Sequence, residues 1–369
     1  MAKIKVDLKD RSYEIVIGTG ILADLGKMIP SHKTNRKVII ITDPLVNDLY
    51  GAEVRKTLTG RVSTIELPRG ERYKDLRAAA KLYDELVKLD AHRDSLIIAL
   101  GGGVIGDLAG FVAATYMRGI DYVNVPTTLL AQVDASIGGK TGVNHPKCKN
   151  LIGCFYQPKL VYIDVKTLST LPARELRTGL AEVVKYGVIK DAEFFRFLEA
   201  NAHHLNTKAF EEEDTKRAAL KLWQSIVTES AQIKADVVGK DERESGYRMI
   251  LNYGHTLGHA IESLTRYQSY NHGEAVAVGM VGAAMVAEKL GLLDQVLVER
   301  IRTLPQKLAL PVEIKGLSAK NIIAAMGLDK KVSSDKINFV LPEKIGKVVI
   351  RDDVSPDIIK QVLTGLGAK

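Results

Sequence analysis

The sequence predicts a two-domain protein: an N-terminal α/β domain over residues 1–171, built on a parallel sheet, and a mostly α-helical domain over 172–369. Three observations carry this. A chain of 369 residues is too long for one ordinary core and divides naturally into two. Up to about Pro172, strand-like and helix-like patterns alternate, as in parallel strands joined through covering helices. Beyond it, nearly every segment repeats its apolar residues at helical spacing.

In the first domain, Ile4–Val6 and Tyr13–Ile17 read as a hairpin. Lys37–Thr42 is a buried strand ending at Asp43, Leu45–Leu58 a helix and Val62–Leu67 the next strand. Pro68-Arg-Gly-Glu71 turns into a helical stretch, Tyr73–Leu89. Ser95–Leu100 is a second very apolar strand, and Tyr122–Val125 a further one. A linker is expected near Thr167–Pro172. Helical spacing then runs through Glu175–Ile189, Ala192–Asn201, Lys216–Val238, Gly254–Leu264, Val276–Leu290, Gln295–Leu304 and Ser318–Met326, with Pro305 as a stop for the sixth. Ile337–Leu341 and Lys347–Ile350 form a strand-like pair.

Composition narrows the partners. The formal net charge is +8, yet acidic residues are interspersed with the basic ones. No Lys/Arg block or basic–aromatic interleaving occurs, which argues against nucleic acid and for a small anionic ligand. The two cysteines, Cys148 and Cys154, form no CxxC pair, so neither a zinc ribbon nor a disulfide scaffold is expected. The opening Met-Ala-Lys-Ile-Lys-Val-Asp lacks the apolar stretch of a signal peptide, and a cytoplasmic location is expected. The uncharged run Ala275–Ala287 falls short of the ~20 residues that span a bilayer and reads as a buried helix, so no membrane is expected as partner.

Chemistry concentrates in Asn252-Tyr-Gly-His-Thr-Leu-Gly-His259 with His272. Three of the eight histidines fall here. His255 and His259, four apart, share one face of a helix, and on spacing alone they read as a pair of metal ligands. Thr256 stands where a zinc-protease helix needs its glutamate. Lys234, Glu244 and Arg248 upstream, and Glu274 downstream, add anion binders and an acid/base. Gly254, Gly258 and Gly273 would let a ligand approach the backbone.

Gly101-Gly-Gly-Val-Ile-Gly-Asp107 follows a strand and opens a helix, where free N–H groups and partial positive charge suit a phosphate. Gly101, Gly103 and Gly106 match the dinucleotide spacing, although outside the first strand–helix unit. Asp43 either holds a ribose hydroxyl or caps a helix. Thr127 and Thr128 either cap a helix or touch a cofactor. From Asp134 to Asn144, Gly138, Gly139 and Gly142 predict a flexible or tightly turned loop; Lys140, with Lys149 and Asn150, offers donors to phosphate or carboxylate. A Walker lysine pattern is absent, which disfavours an ATPase.

Seven stretches together resemble the 3-dehydroquinate synthase family of sugar-phosphate cyclases. They are Arg69-Gly-Glu-Arg-Tyr-Lys74, Gly101–Asp107, Tyr116-Met-Arg-Gly119, Val125–Asn144, Gly179-Leu-Ala-Glu-Val-Val-Lys-Tyr-Gly187, Asn252–His259 and His272-Gly-Glu-Ala-Val276. The resemblance implies a dinucleotide-binding α/β domain and a helical metal domain with the active site in the cleft. It implies NAD, a divalent metal (Zn2+ or Co2+), and conversion of 3-deoxy-D-arabino-heptulosonate 7-phosphate to 3-dehydroquinate and phosphate. Its metal ligands are Glu182, His255 and His272, which replaces the His255–His259 pair. Its substrate-side residues are Asp134, Lys140, Asn150, Lys185, Lys234, Glu244, Arg248, Asn252 and His259, with Arg118 reaching the neighbouring subunit of a homodimer. Its NAD-side residues are Asp43, Glu71, Lys74, Gly102, Gly103, Gly106, Asp107, Thr127, Thr128, Lys140, Lys149, Thr167 and Thr170. An Asp-Lys-Lys motif appears as Asp329-Lys-Lys331, with Lys330, Lys331 or Lys336 toward the substrate. Cys148 stands where the family usually has glycine, a costly exchange if that position needs a positive φ. The rivals are a metal-dependent polyol dehydrogenase, another sugar-phosphate cyclase and a non-catalytic NAD-binding regulator. Lys140, Asn150, Lys234 and Arg248 argue against the first, and the metal ligands against the last.

Overall fold

The computed structural model describes residues 1–29, 36–205, 210, 213–265, 269–329 and 337–369. The chain divides into two compact units, Met1–Leu171 with Glu213–Arg243, and Pro172–Glu212 with Glu244–Lys369. The helix Glu213–Lys240 therefore groups with the α/β unit, although its spacing had placed it in the helical half. Spacing reveals an apolar stripe but not the core it faces. Here Trp223, Ile226, Val227, Ala231 and Val237 are fully buried, and Gln224 accepts a hydrogen bond from Thr19.

The first unit holds β1 (Ala2–Val6), β2 (Tyr13–Gly18), β3 (Val38–Thr42), β4 (Val62–Glu66), β5 (Leu96–Gly101), β6 (Asp121–Pro126), β7 (Lys140–His145), β8 (Cys148–Phe155) and β9 (Leu160–Asp164). Seven of them form one sheet in the order β1-β2-β9-β6-β5-β3-β4. Every pairing in it is parallel except β1 with β2. Every residue of β3 and β5 is buried, because both sheet faces are covered. Ile39, Ile41, Ile97 and Ala99 pack on one side with Leu82 and Leu108; Val38, Ile40, Ile98 and Leu100 pack on the other with Leu22 and Val54.

The strand order sets the site. From β3 the chain adds β4 on one side, then returns to add β5 on the other. The carboxyl ends of β3 and β5 flank the point where the order reverses, where open α/β sheets bind ligands. Asp43 follows β3 and the glycine run follows β5. The glycine run thus lies outside the first strand–helix unit but at the switch point.

Three features depart from the sequence reading. The expected glycine loop is tightly turned at Gly138 and Gly139, at φ 97° and 69°, but from Lys140 it is the first strand of an antiparallel hairpin of β7 and β8, and β9 is a fully buried strand absent from the sequence expectation. The Leu45–Leu58 helix is interrupted by a π-helical turn, Asn47–Gly51.

In the second unit the predicted helices appear as Ala173–Ile189, Ala192–Asn201, His255–Leu264, His272–Lys289, Gln295–Lys307 and Ala319–Asp329. Pro305 lies inside its helix, where its carbonyl accepts from Leu308 and Leu310, and does not stop it. The strand pair is present as β10 (Phe339–Lys344) and β11 (Lys347–Arg351), antiparallel. A closing helix, Pro356–Gly365, was not predicted. Among the described residues, no helix is long and apolar enough to cross a membrane.

Candidate active site

In the second unit, Glu182 is fully buried in the middle of Ala173–Ile189. His255 opens the helix His255–Leu264, and His272 opens the helix His272–Lys289. Both imidazoles face one carboxylate oxygen: Glu182 Oε1 lies 3.5 Å from His255 Nε2 and 3.4 Å from His272 Nε2. Ligand atoms of the three residues all fall within 4.8 Å of one another. Close backbone approach permits this. A Cβ on Gly273 would stand 2.3 Å from the Thr178 carbonyl, and one on Gly254, at φ 80°, only 2.6 Å from Met280 Cγ. Gly258 likewise packs on Ala275 and Val276, so these glycines serve contact between helices, not the ligand approach that the sequence suggested.

The second nitrogen of each imidazole is also held. His272 Nδ1 lies 3.2 Å from Glu262 Oε2, and His255 Nδ1 lies 3.1 Å from the Tyr253 carbonyl. A carboxylate and a carbonyl accept only, so both Nδ1 atoms donate and both Nε2 atoms are turned toward Glu182. Burial, chiefly, pushes the His255 imidazole down to about 3. Burial also works to lower His272, but hydrogen bonds and charge from Glu182 and Glu262 outweigh it and lift this group to about 9. Two imidazole nitrogens and one buried carboxylate oxygen are the donor set of a three-ligand catalytic metal site, so these residues fit a divalent transition metal.

Other candidates surround this group in sequence and take defined places. Lys185, nearly fully buried, is ion-paired with Glu182 Oε2. The His259 ring stands edge-on to His255 at 5.3 Å between centroids and is exposed; among the described residues it is not in the metal-capable group. Asn252 Nδ2 donates to Glu244 Oε1 at 2.8 Å, and Arg248 is buried. Glu274 is occupied otherwise: it completes a capping box with Asn271 and accepts from Arg174 at 2.7 and 2.9 Å. Its expected acid/base role gives way to helix capping. Glu262 was missed, although His255, His259 and Glu262 fall at i, i+4 and i+7 on one helical face.

In the first unit, the helix Gly103–Thr115 starts at the end of β5 with Gly102 as its N-cap and no side-chain cap. Its first N–H groups have no partner within the helix and point toward the switch point. A Cβ on Gly106 would reach Asn124 Nδ2 of β6 at 3.0 Å, so this glycine seats the helix on the sheet. Asp43 caps its helix through Oδ1, accepting from Leu45 and Val46 at 3.1 and 3.2 Å. Thr128 Oγ accepts from Ala131, and Thr127 is buried with its N–H on the Gly101 carbonyl. Thr167 Oγ accepts from buried Gln132, and Thr170 Oγ bonds the Tyr50 hydroxyl.

A polar network joins the 71–74 turn to the hairpin. Buried Lys74 donates to Asp107 Oδ2 and, at 2.5 Å, to Asn150 Oδ1. Enclosure raises the Asp107 carboxyl above its ordinary range, and the Lys74 ammonium works against that shift. Glu71 Oε1 accepts from Asn144 Nδ2 at 2.8 Å and lies 3.9 Å from Lys149 Nζ. Lys234, carried in by the helix Glu213–Lys240, donates to the side chain and the carbonyl of Asp134, both at 2.6 Å. Lys140 is exposed at the start of β7, and Arg118 is exposed in a turn at φ 65°. Of seven described non-glycine residues with positive φ, three are site candidates, Arg118, Asn150 and Glu244; such strain collects at functional positions. Cys148 is not among the seven, so its exchange for glycine costs no strain. Lys330, Lys331, Lys336 and the Asp329 side chain lie outside the described residues.

Comparisons with known proteins give the family. The family description 3-dehydroquinate synthase N-terminal matches residues 64–178, and 3-dehydroquinate synthase C-terminal matches residues 179–332. The 3-dehydroquinate synthase of Nostoc punctiforme is 50% identical over 367 residues, covering 98% of this chain and 99% of its own. That of Microcystis aeruginosa is 50% identical over 364 residues, covering 98% and 97%. Among solved structures, 2-deoxy-scyllo-inosose synthase complexed with carbaglucose-6-phosphate, NAD+ and Co2+ is similar at TM-score 0.85 and 28% identity, over 99% of both chains. The 2-epi-5-epi-valiolone synthase of Streptomyces hygroscopicus, with NAD+ and Zn2+ bound, is similar at TM-score 0.85 and 28% identity, over 98% of both.

Proposed function

Because the chain belongs to the 3-dehydroquinate synthase family, we propose that it converts 3-deoxy-D-arabino-heptulosonate 7-phosphate into 3-dehydroquinate and phosphate, as a phosphorus–oxygen lyase of aromatic amino-acid biosynthesis that uses NAD and a divalent metal. The observation that carries the reading is the Glu182–His255–His272 group with both Nδ1 atoms held. NAD is assigned to the β3–β5 switch point, where Asp43, Gly102, Gly103, Gly106 and the helix N-terminus meet. The two synthases of 28% identity, described with NAD+ and Co2+ or Zn2+, support NAD and a divalent metal as the cofactors.

The net reaction changes no oxidation state. Phosphate must leave from a carbon next to a C–H bond that is not acidic while its other neighbour is an alcohol. Oxidising that alcohol to a ketone makes the C–H acidic, and phosphate is then eliminated. The ketone is reduced again, the ring opens, and an intramolecular aldol addition closes the carbocycle. When bound, NAD would supply the reversible two-electron oxidation, and the metal Lewis acidity toward the alcohol and ketone oxygen.

The remaining demands fall to side chains of this chain. Glu244 or His259 would carry the hydroxyl proton. Lys140, Asn150, Arg248 and His259, with Arg118 from the partner of a homodimer, would offset a phosphate charge of about −2. Lys185 and Lys234, with Asp134 and Asn252, would hold the carboxylate and ring hydroxyls. Holding the reacting centres in place is worth up to ~7–11 kcal/mol of barrier, more than any single group supplies. The test is product analysis: the protein, the seven-carbon sugar phosphate and trace NAD should give 3-dehydroquinate and phosphate in equal amounts. Phosphate without the carbocycle, or stoichiometric NADH, would overturn the reading.

A further inference from the structure

The Asn144 side chain uses both halves of its amide on two different parts of the proposed site. Its Oδ1 accepts from the Asn150 backbone N–H at 2.8 Å. Its Nδ2 donates to Glu71 Oε1 at 2.8 Å. Its own backbone N–H donates to the Lys74 carbonyl at 2.8 Å, so it is tied to the 71–74 turn from the main chain as well. Lys74 then returns to Asn150 through its Nζ. Four residues close a ring: Glu71, Asn144, Asn150 and Lys74.

The ring has a purpose that packing alone does not explain. Asn150 lies within β8 at φ 53°, a left-handed conformation that costs energy unless its surroundings enforce it. Asn144 holds its backbone and Lys74 holds its side chain. A carboxylate at 71 accepts only, so it fixes which way the Asn144 amide points and presents Oδ1 to Asn150. We propose that Asn144 is a positioning residue that couples Glu71, on the cofactor side, to Asn150, on the substrate side. It does not touch the reacting atoms; its Oδ1 sets the Asn150 bend and its Nδ2 sets the Glu71 carboxylate. This rests on the assignment of Glu71 to NAD and Asn150 to the substrate made above.

Two substitutions separate the halves. Asn144→Asp keeps an acceptor for Asn150 but removes the donor and sets a second carboxylate against Glu71. Asn144→Ala removes both contacts. With the full-length metal-loaded protein, NAD affinity is read by fluorescence titration, substrate KM and kcat by phosphate release, and folding by thermal midpoint. Asn144→Asp should weaken NAD at least about tenfold while substrate KM stays within about twofold. Asn144→Ala should weaken NAD and also raise substrate KM at least about fivefold. A purely structural asparagine would lower the thermal midpoint and both parameters together in both variants, and that result would overturn the proposal. So would two variants indistinguishable from wild type. Failure of the wild-type protein itself to bind NAD or release phosphate would sink the functional reading, a separate outcome.

Discussion

His272 Nδ1 and Glu262 Oε2 lie 3.2 Å apart, and this contact decides which nitrogen of the ring faces Glu182. The carboxylate accepts, so His272 donates through Nδ1 and turns its Nε2 toward Glu182, the nitrogen a bound metal would take. Glu262→Gln keeps the shape but permits the amide N–H to face the ring and favour the wrong tautomer. Metal affinity, measured by chelator competition, should fall about 10–100-fold with the circular dichroism spectrum unchanged. His272→Ala should lose metal and activity together while the fold persists; full activity in the metal-free variant would exclude the ligand assignment.

The approach of two helices delivers His272 to Glu182. A Cβ at Gly273 would meet the Thr178 carbonyl at 2.3 Å, and backbone cannot give way as a flexible side chain can. Gly273→Ala should therefore destabilise the second unit by about 1–3 kcal/mol and weaken metal binding as well. A variant with wild-type thermal midpoint and metal affinity would contradict the packing described.

Glu242 ties the end of the Glu213–Arg243 segment to the first unit: it accepts from Arg11 at 2.7 and 3.3 Å and from Gln157 at 2.9 Å. Burial works to raise its carboxyl, but Gln157 and Arg11 outweigh this and hold it below the usual carboxylate range. A depressed folded pKa contributes stability above the unfolded value of about 4.3 and loses it as pH falls through the folded value. Glu242→Gln should lower the thermal midpoint by about 1–2 °C at pH 7, and the gap should close in acid. A gap that widens on acidification would reverse the assignment.

Lys140→Ala tests the division of labour in the first unit. It should raise substrate KM at least about tenfold and leave NAD affinity within about twofold. Equal weakening of both would move Lys140 to the cofactor side.

Much of this was legible in the sequence, and the gaps have physical causes. The apolar strands β3 and β5 announce themselves because both of their faces are buried. The β7–β8 hairpin does not, because its glycines read as a loop. Gly142 and Gly153 face each other across it, and a Cβ on Gly142 would stand 2.6 Å from the Ile152 carbonyl, so the same glycines let the strands close. The helix Glu213–Lys240 has clear helical spacing, but spacing names no partner, and with it Lys234 joined Asp134 in the first unit. Spacing also offered His255 with His259. Only the family resemblance pointed to Glu182, which lies far upstream on another helix and meets His255 and His272 through folding. Asn144 gave no sign at all, since its role exists only in the ring it closes.

The central claim is an oxidation that is borrowed and returned, and nicotinamide dependence tests it most directly. Protein stripped of NAD and supplied with metal and sugar phosphate should release no phosphate. Substoichiometric NAD should restore many turnovers with no net absorbance of NADH. Undiminished phosphate release from the stripped protein, or one NADH formed for each phosphate, would contradict the account.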